Sequence, residues 1–212
     1  GQDGRTPLRL AVRGFFVALG KDPGTKETKM NDWKNRTKLV HGGIRRSQYN
    51  EVSEAIFLTQ GFVYENAEQA EARFIESGPD EFIYARYGNP TVSMFEQRIA
   101  LLEGGEDAFA TASGMAAVNG ALMSLVKAGD HVVSAKALFG SCLHILENIL
   151  MNLGVEVTFV DGTNLDEWRA AVREDTKVCF FESMSNPTLE VIDIAGVSEI
   201  AHSVGATVVV DN

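Results

Sequence analysis

Cysteine is scarce in this chain. Its 212 residues hold two, Cys142 and Cys179, with no CxxC pair and no His/Cys cluster. That argues against a disulfide framework and a structural metal, and for a reducing, cytoplasmic setting. Long hydrophobic runs are missing too, as no stretch reaches the roughly 18 apolar residues of a bilayer span. Basic residues are few: 19 Lys and Arg against 29 Asp and Glu give a net charge of −10, without a basic stripe. A general nucleic-acid surface is therefore excluded. The dinucleotide fingerprint G-x-G-x-x-G is absent, so a nicotinamide cofactor does not fit.

What remains is an ordinary globular composition, 45% hydrophobic and 23% charged, long enough for one domain or half of a larger subunit. Strand and helix signals alternate after residue 90. "TVSMFEQRIALLEGG" reads as a helix stopped by Gly104, "EDAFATA" as a strand, and "SGMAAVNGALMSLVKAGD" as a helix rich in small residues. "HVVSA", "VEVTFV", "KVCFFE" and "ATVVVD" read as strands. Between them lie helices over "SCLHILENILMNLG", with Gly154 as C-cap, "NLDEWRAAVRE" and "GVSEIAHSVG". Strands apolar on both sides, each followed by a helix, imply an α/β fold with a mostly parallel sheet covered on both faces. Ligands of such sheets sit at the carboxyl ends of strands.

Two earlier stretches read differently. Residues 1–29 carry Arg5, Arg9 and Arg13 beside an apolar patch, either as a transit-type amphipathic segment or as an extension upstream of Met30. They are expected to stand outside the fold. Residues 30–83 look irregular apart from the helical "NAEQAEARF", and form an aromatic-bearing arm suited to packing on a neighbouring subunit. Residues 84–212 hold the main domain.

Four segments carry chemistry. In "ATASGM", Ser113, Gly114 and Met115 open a helix whose first backbone N–H groups suit a phosphate, although the same residues would serve as a plain turn and cap. In "FIYARYGNPT", Tyr84 and Arg86 share a side if the segment is extended and can grip a phosphate together; Thr91 can cap the next helix. Phe139, before Gly140 in "ALFGS", can cover a flat ring or pack in the core. Asn186 in "ESMSNPTLEVIDI" sits in a turn after Glu182 and can donate to a hydroxyl. Asp211 ends the last strand, where a buried carboxylate needs a partner. An anion cradle, a Tyr/Arg grip, an aromatic cover and a strand-end aspartate together fit one ligand, pyridoxal 5'-phosphate, with Asp211 on its protonated ring nitrogen.

"YARYGNPT", "ATASGM", "LFGS", "ESMSNPTLEVIDI" and "VVVDN", in this order, resemble the Cys/Met-metabolism family of pyridoxal-phosphate enzymes, and the resemblance runs from about Thr37 to Asn212. It implies the aspartate-aminotransferase type of fold (fold type I), incomplete in this chain, and a homotetramer of dimers that share active sites. By position, Tyr84 and Arg86 would bind the cofactor phosphate of the neighbouring subunit, and Gly114 and Met115, beside Ser113, would bind phosphate through backbone N–H groups. Asn186 would meet the ring hydroxyl and Asp211 the pyridine nitrogen. Phe139 stands where many relatives have a tyrosine. The implied activity is γ-replacement on O-succinylhomoserine by sulfide, giving homocysteine for methionine biosynthesis. Rival activities within the family are cystathionine synthesis, the same replacement on O-acetylhomoserine, and γ-elimination of methionine. A rival of another class is an inactive half-subunit acting as an interaction module. Relatives carry the Schiff-base lysine some two dozen residues past the strand-end aspartate, so here it is expected beyond Asn212, and the strand 205–211 is expected to expose an unpaired edge.

Overall fold

The computed structural model describes residues 9–13, 16–19, 33–78 and 80–212, the first two stretches by backbone alone. Of these, residues 9–13, 16–19 and 103–212 form one compact unit and residues 33–78 and 80–102 another.

The first unit is built on seven strands: β1 (Arg9–Arg13), β2 (Phe16–Leu19), β3 (Asp107–Ala110), β4 (His131–Ala135), β5 (Glu156–Val160), β6 (Thr176–Glu182) and β7 (Thr207–Asp211). Their order across the sheet is β3-β2-β1-β7-β6-β4-β5. Only β2 runs against the rest, since β1 is parallel to β7 and antiparallel to β2, which is antiparallel to β3. The carboxyl ends of β3, β4, β6 and β7 therefore share one edge of the sheet.

Alternation along the strands divides the core in two. Val132, Val178, Phe180 and Val209 pack with Val118 and Leu122 of α4 (Gly114–Leu125) and with Cys142 and Leu146 of the following helical segment. Val133, Cys179, Phe181, Val208 and Val210 pack with Trp168 of α6 (Leu165–Ala171) and with Val197 and Ala201 of α7 (Ile194–Ser203). Successive side chains of a strand point to opposite faces, so a run such as Val208-Val209-Val210 feeds both layers. The segment after β4 begins as α5 (Gly140–His144), loosens into a π-helical stretch (Ile145–Leu150), tightens over Met151–Leu153 and ends at Gly154, whose φ of 84° needs a residue without Cβ. Polar residues also sit deep in the sheet: His131, fully buried, meets the hydroxyls of Thr176 and Thr158, both at 2.8 Å, so both ring nitrogens are satisfied.

Two expectations are corrected here. Residues 9–13 and 16–19 lie within the sheet, and Arg9–Val12 pairs with Val208–Asp211, so β7 has a neighbour on the side expected to be bare. A strand edge offers a row of unpaired N–H and C=O groups, and an extended apolar segment satisfies them. The four-residue arginine spacing that suggested a helix is an even number and suits strand alternation as well. Arg5 and Met30 lie outside the described residues.

The second unit contains α1 (Asn35–His41), α2 (Ala67–Ile75) and α3 (Pro90–Glu103), the last residue of which belongs to the first unit. α1 falls in a stretch expected to be irregular. Its N-cap, Lys34, offers no capping side chain. Tertiary bonds support it instead: Lys38 Nζ donates to the Leu101 carbonyl at 3.1 Å, and Arg98 Nε to Gly42 at 3.2 Å. The segment between α1 and α2 leaves Tyr49, Val52, Ile56, Leu58 and Val63 largely exposed. Among the described residues no helix is long and apolar enough to cross a membrane.

Candidate active site

Asp211 and Glu182 end neighbouring strands and face each other in register. Asp211 is half-buried, and burial pushes its carboxyl above the usual carboxylate range, while the Cys142 thiol and the Asn212 backbone N–H pull it partly back. A cation beside it would lower it further. The Cys142 Sγ lies 3.5 Å from Asp211 Oδ2. That thiol is fully buried and pushed up to about 12, first by burial and then by the charges of Asp211 and Glu182, so it remains a protonated donor.

Glu182 is 5% exposed. One of its oxygens accepts the backbone N–H of Phe139, from the loop between β4 and α5. The other accepts the backbone N–H of Asn186 at 2.9 Å. Asn186 belongs to a turn held by Ser185 N–H to the Glu190 carbonyl at 2.9 Å and by Ser185 and Thr188 hydroxyls 2.6 Å apart. Phe139, Glu182, Met184, Asn186, Asp211 and Asn212 line one open pocket. The sequence thus located Phe139, Asn186 and Asp211 together. It did not single out Glu182 as part of the site; the signal was a carboxylate at the end of an otherwise apolar strand.

Within the same metal-ligand reach, the donor atoms of Cys142, Glu182 and Asp211 lie within 4.8 Å of one another. Both Glu182 oxygens already accept N–H groups and the thiol holds its proton, so the trio behaves as a hydrogen-bonding cluster.

Ser113, Gly114 and Met115 open a helix, as expected. Ser113 is extended and its hydroxyl accepts from Ala116 N–H at 3.2 Å, which makes it the N-cap of α4. The cap leaves the Gly114 and Met115 amides leading the first turn without helical partners. They stand on the edge of the sheet that carries Asp211, because β3 and β7 run the same way. Phe139, Asn186 and Asp211 thus meet at one pocket, while Gly114 and Met115 are not among the residues that line it.

Tyr84 and Arg86 lie in the second unit. Their segment is a turn, with Tyr87 and Gly88 N–H groups donating to the Tyr84 carbonyl at 2.8 and 3.2 Å, and not the extended run assumed from sequence. The pair still meets, as the Arg86 guanidinium lies 4.8 Å from the Tyr84 ring centre and 5.0 Å from that of Tyr87. Thr91 is not the cap of α3. Asn89 Oδ1 accepts the Thr91 N–H at 2.9 Å, while the Thr91 hydroxyl accepts from Phe57 N–H at 2.9 Å.

Known proteins resemble this chain. The family model described as Cys/Met metabolism PLP-dependent enzyme matches residues 36–212. O-succinylhomoserine sulfhydrylase of Mycobacterium tuberculosis is 50% identical over 173 residues, 82% of this chain and 42% of that protein. L-methionine gamma-lyase of Fusobacterium nucleatum subsp. polymorphum is 41% identical over 179 residues, 83% of this chain and 45% of that protein. Among solved structures, a Campylobacter jejuni protein carrying N'-pyridoxyl-lysine-5'-monophosphate superposes with a TM-score of 0.80 at 32% identity, covering 85% of this chain and 44% of that one. The chain spans less than half the length of each of these relatives.

Proposed function

Because the chain belongs to the Cys/Met metabolism PLP-dependent enzyme family, we propose that the protein catalyses γ-replacement on O-succinylhomoserine, with sulfide entering and succinate leaving to give homocysteine. The observation that carries this reading is the half-buried Asp211 carboxylate in a pocket walled by the exposed Phe139 ring. The sulfhydrylase that is 50% identical supports the choice of substrate.

When bound, pyridoxal phosphate supplies an electron sink for negative charge developing on the substrate carbons. Asp211 would hold a proton on the ring nitrogen, which keeps the sink effective. Cys142 donates to the same carboxylate and supports its charge. Phe139 would cover one face of the ring and keep water from it, and Asn186 would donate to the ring hydroxyl. Gly114 and Met115 offer backbone N–H groups to the phosphate at the N-terminus of α4, where Ser113 holds the turn. Tyr84 and Arg86 serve the phosphate of a neighbouring subunit in a homotetramer. Exposed apolar residues such as Val52 and Leu58 support that contact. Among the described residues no lysine lines the pocket. The protein works in the cytoplasm on this reading.

Elimination from methionine is the second reading, favoured by the 41% identity to a methionine gamma-lyase. Incubating the purified full-length protein with O-succinyl-L-homoserine and sulfide, and separately with methionine, distinguishes them. Homocysteine from the first supports replacement; 2-oxobutyrate from methionine, without homocysteine from the first, refutes it. In the active protein, Asp211→Ala should lower turnover by about 10²–10³-fold while phosphate-bearing ligands still bind. Turnover near that of the parent would remove Asp211 from its role.

A further inference from the structure

A carboxylate buried as deeply as Glu182 must be compensated, by a cation or by donors. Among the described residues its compensation comes from two backbone N–H groups that belong to different crossovers of the sheet. One is Phe139, just before α5; the other is Asn186, in the turn after β6. Each of these residues lines the pocket. The geometry points to Glu182 as a positioning residue that ties the ring cover, Phe139, to the hydroxyl donor, Asn186, through one carboxylate. The inference rests on the pyridoxal-phosphate reading of the pocket.

Each carboxylate oxygen is used, so the tie requires both. In Glu182→Gln an oxygen remains at only one of the two acceptor positions, and the amide NH₂ faces the other donor. Glu182→Ala supplies neither acceptor. A hydrogen bond to a charged group is worth about 1.5–3 kcal/mol, and every 1.4 kcal/mol is tenfold. Loss of one bond is therefore expected to weaken ring binding by about tenfold or more.

The test uses the full-length protein and 4-deoxypyridoxine 5'-phosphate, which has the ring nitrogen, hydroxyl and phosphate but no aldehyde. Amide hydrogen exchange is measured first, without ligand. In Glu182→Gln it should quicken by at least about tenfold at Phe139 or Asn186, with the β4 and β7 amides unchanged. Unchanged exchange at both loops overturns the tie, and so does quickening spread evenly over β4, β6 and β7, which would mark a general loss of fold. Affinity for the probe is measured next, in a cycle with Phe139→Leu and Asn186→Ala. The two losses should be coupled in the parent and additive once Glu182 is alanine. Additive losses in the parent also overturn the tie. If the parent does not bind the probe at all, the reading of the pocket fails, while the exchange result still decides whether Glu182 joins the two loops.

Discussion

Acid should loosen the sheet at His131. The ring is fully buried at the start of β4, with a threonine hydroxyl on each nitrogen. Burial lowers its pKa, nearby Arg173 lowers it further, and Glu156 and Asp175 oppose with smaller effects. The folded state thus binds a proton less readily than the unfolded chain, where histidine titrates near 6.5. Stability is fully present above that pH and is lost as pH falls from about 6.5 toward the lower folded value. His131→Leu removes this dependence but takes the imidazole away from both hydroxyls, although the Thr176 oxygen still accepts the Arg173 N–H at 2.8 Å. Thr176 is buried and should cost about 1–3 kcal/mol, whereas Thr158 is half-buried and open to water, at about 0–1 kcal/mol. The variant should therefore be about 1–4 kcal/mol less stable than the parent at pH 7.5, with a smaller difference at pH 5.5. Urea unfolding followed by tryptophan fluorescence at both pH values measures this. Equal pH slopes in parent and variant would refute the reasoning, because then the titrating groups would lie elsewhere.

Trp168 is fully buried, donates from its indole to the Gly162 carbonyl at 3.0 Å and meets Phe181 edge-on at 5.8 Å. Trp168→Ala should cost about 3–5 kcal/mol in the same unfolding assay, and a loss under 1 kcal/mol would show that α6 is not anchored there. Both thiols are buried and pushed up to about 12, Cys179 by burial alone. Native protein should therefore resist iodoacetamide at pH 8 and take up two equivalents after denaturation; rapid labelling of the native form would contradict the packing around α5 or β6.

The sequence was most legible where one physical signal dominated. β4, β6 and β7 combine β-branched or aromatic runs with glycines and polar breaks at their ends, and helices of 3.6-residue period fall between them. Gly154 at a left-handed helix end was readable because few other residues suit that conformation. α1 was not readable, since its support comes from Lys38 and Arg98 bonds to residues far along the chain. The β1–β2 hairpin was missed because arginines four apart fit a helix and a strand equally. At the site, Phe139, Asn186 and Asp211 announced themselves as residue types in loops and at a strand end. Glu182 and Cys142 did not, because their importance lies in backbone N–H groups and in a carboxylate brought near by folding.

The π-helical stretch after α5 sets an angle. Its carbonyls are met five residues on, as where Met151 N–H donates to Leu146, so it spends one more residue than an α-helix of the same rise. Downstream, Leu150 is locked into the core and Gly154 fixes the exit, so a change of spacing would be taken up upstream, against the packing of Cys142 and Leu146. Deleting one exposed residue of this stretch, Glu147, would restore α-helical spacing and swing Gly140–His144 by about 100° about the helix axis. The thiol of Cys142 would then be carried round to another side and away from Asp211. The extra residue works as a phase shift, and it keeps the strand-end carboxylate and its thiol donor on one bearing.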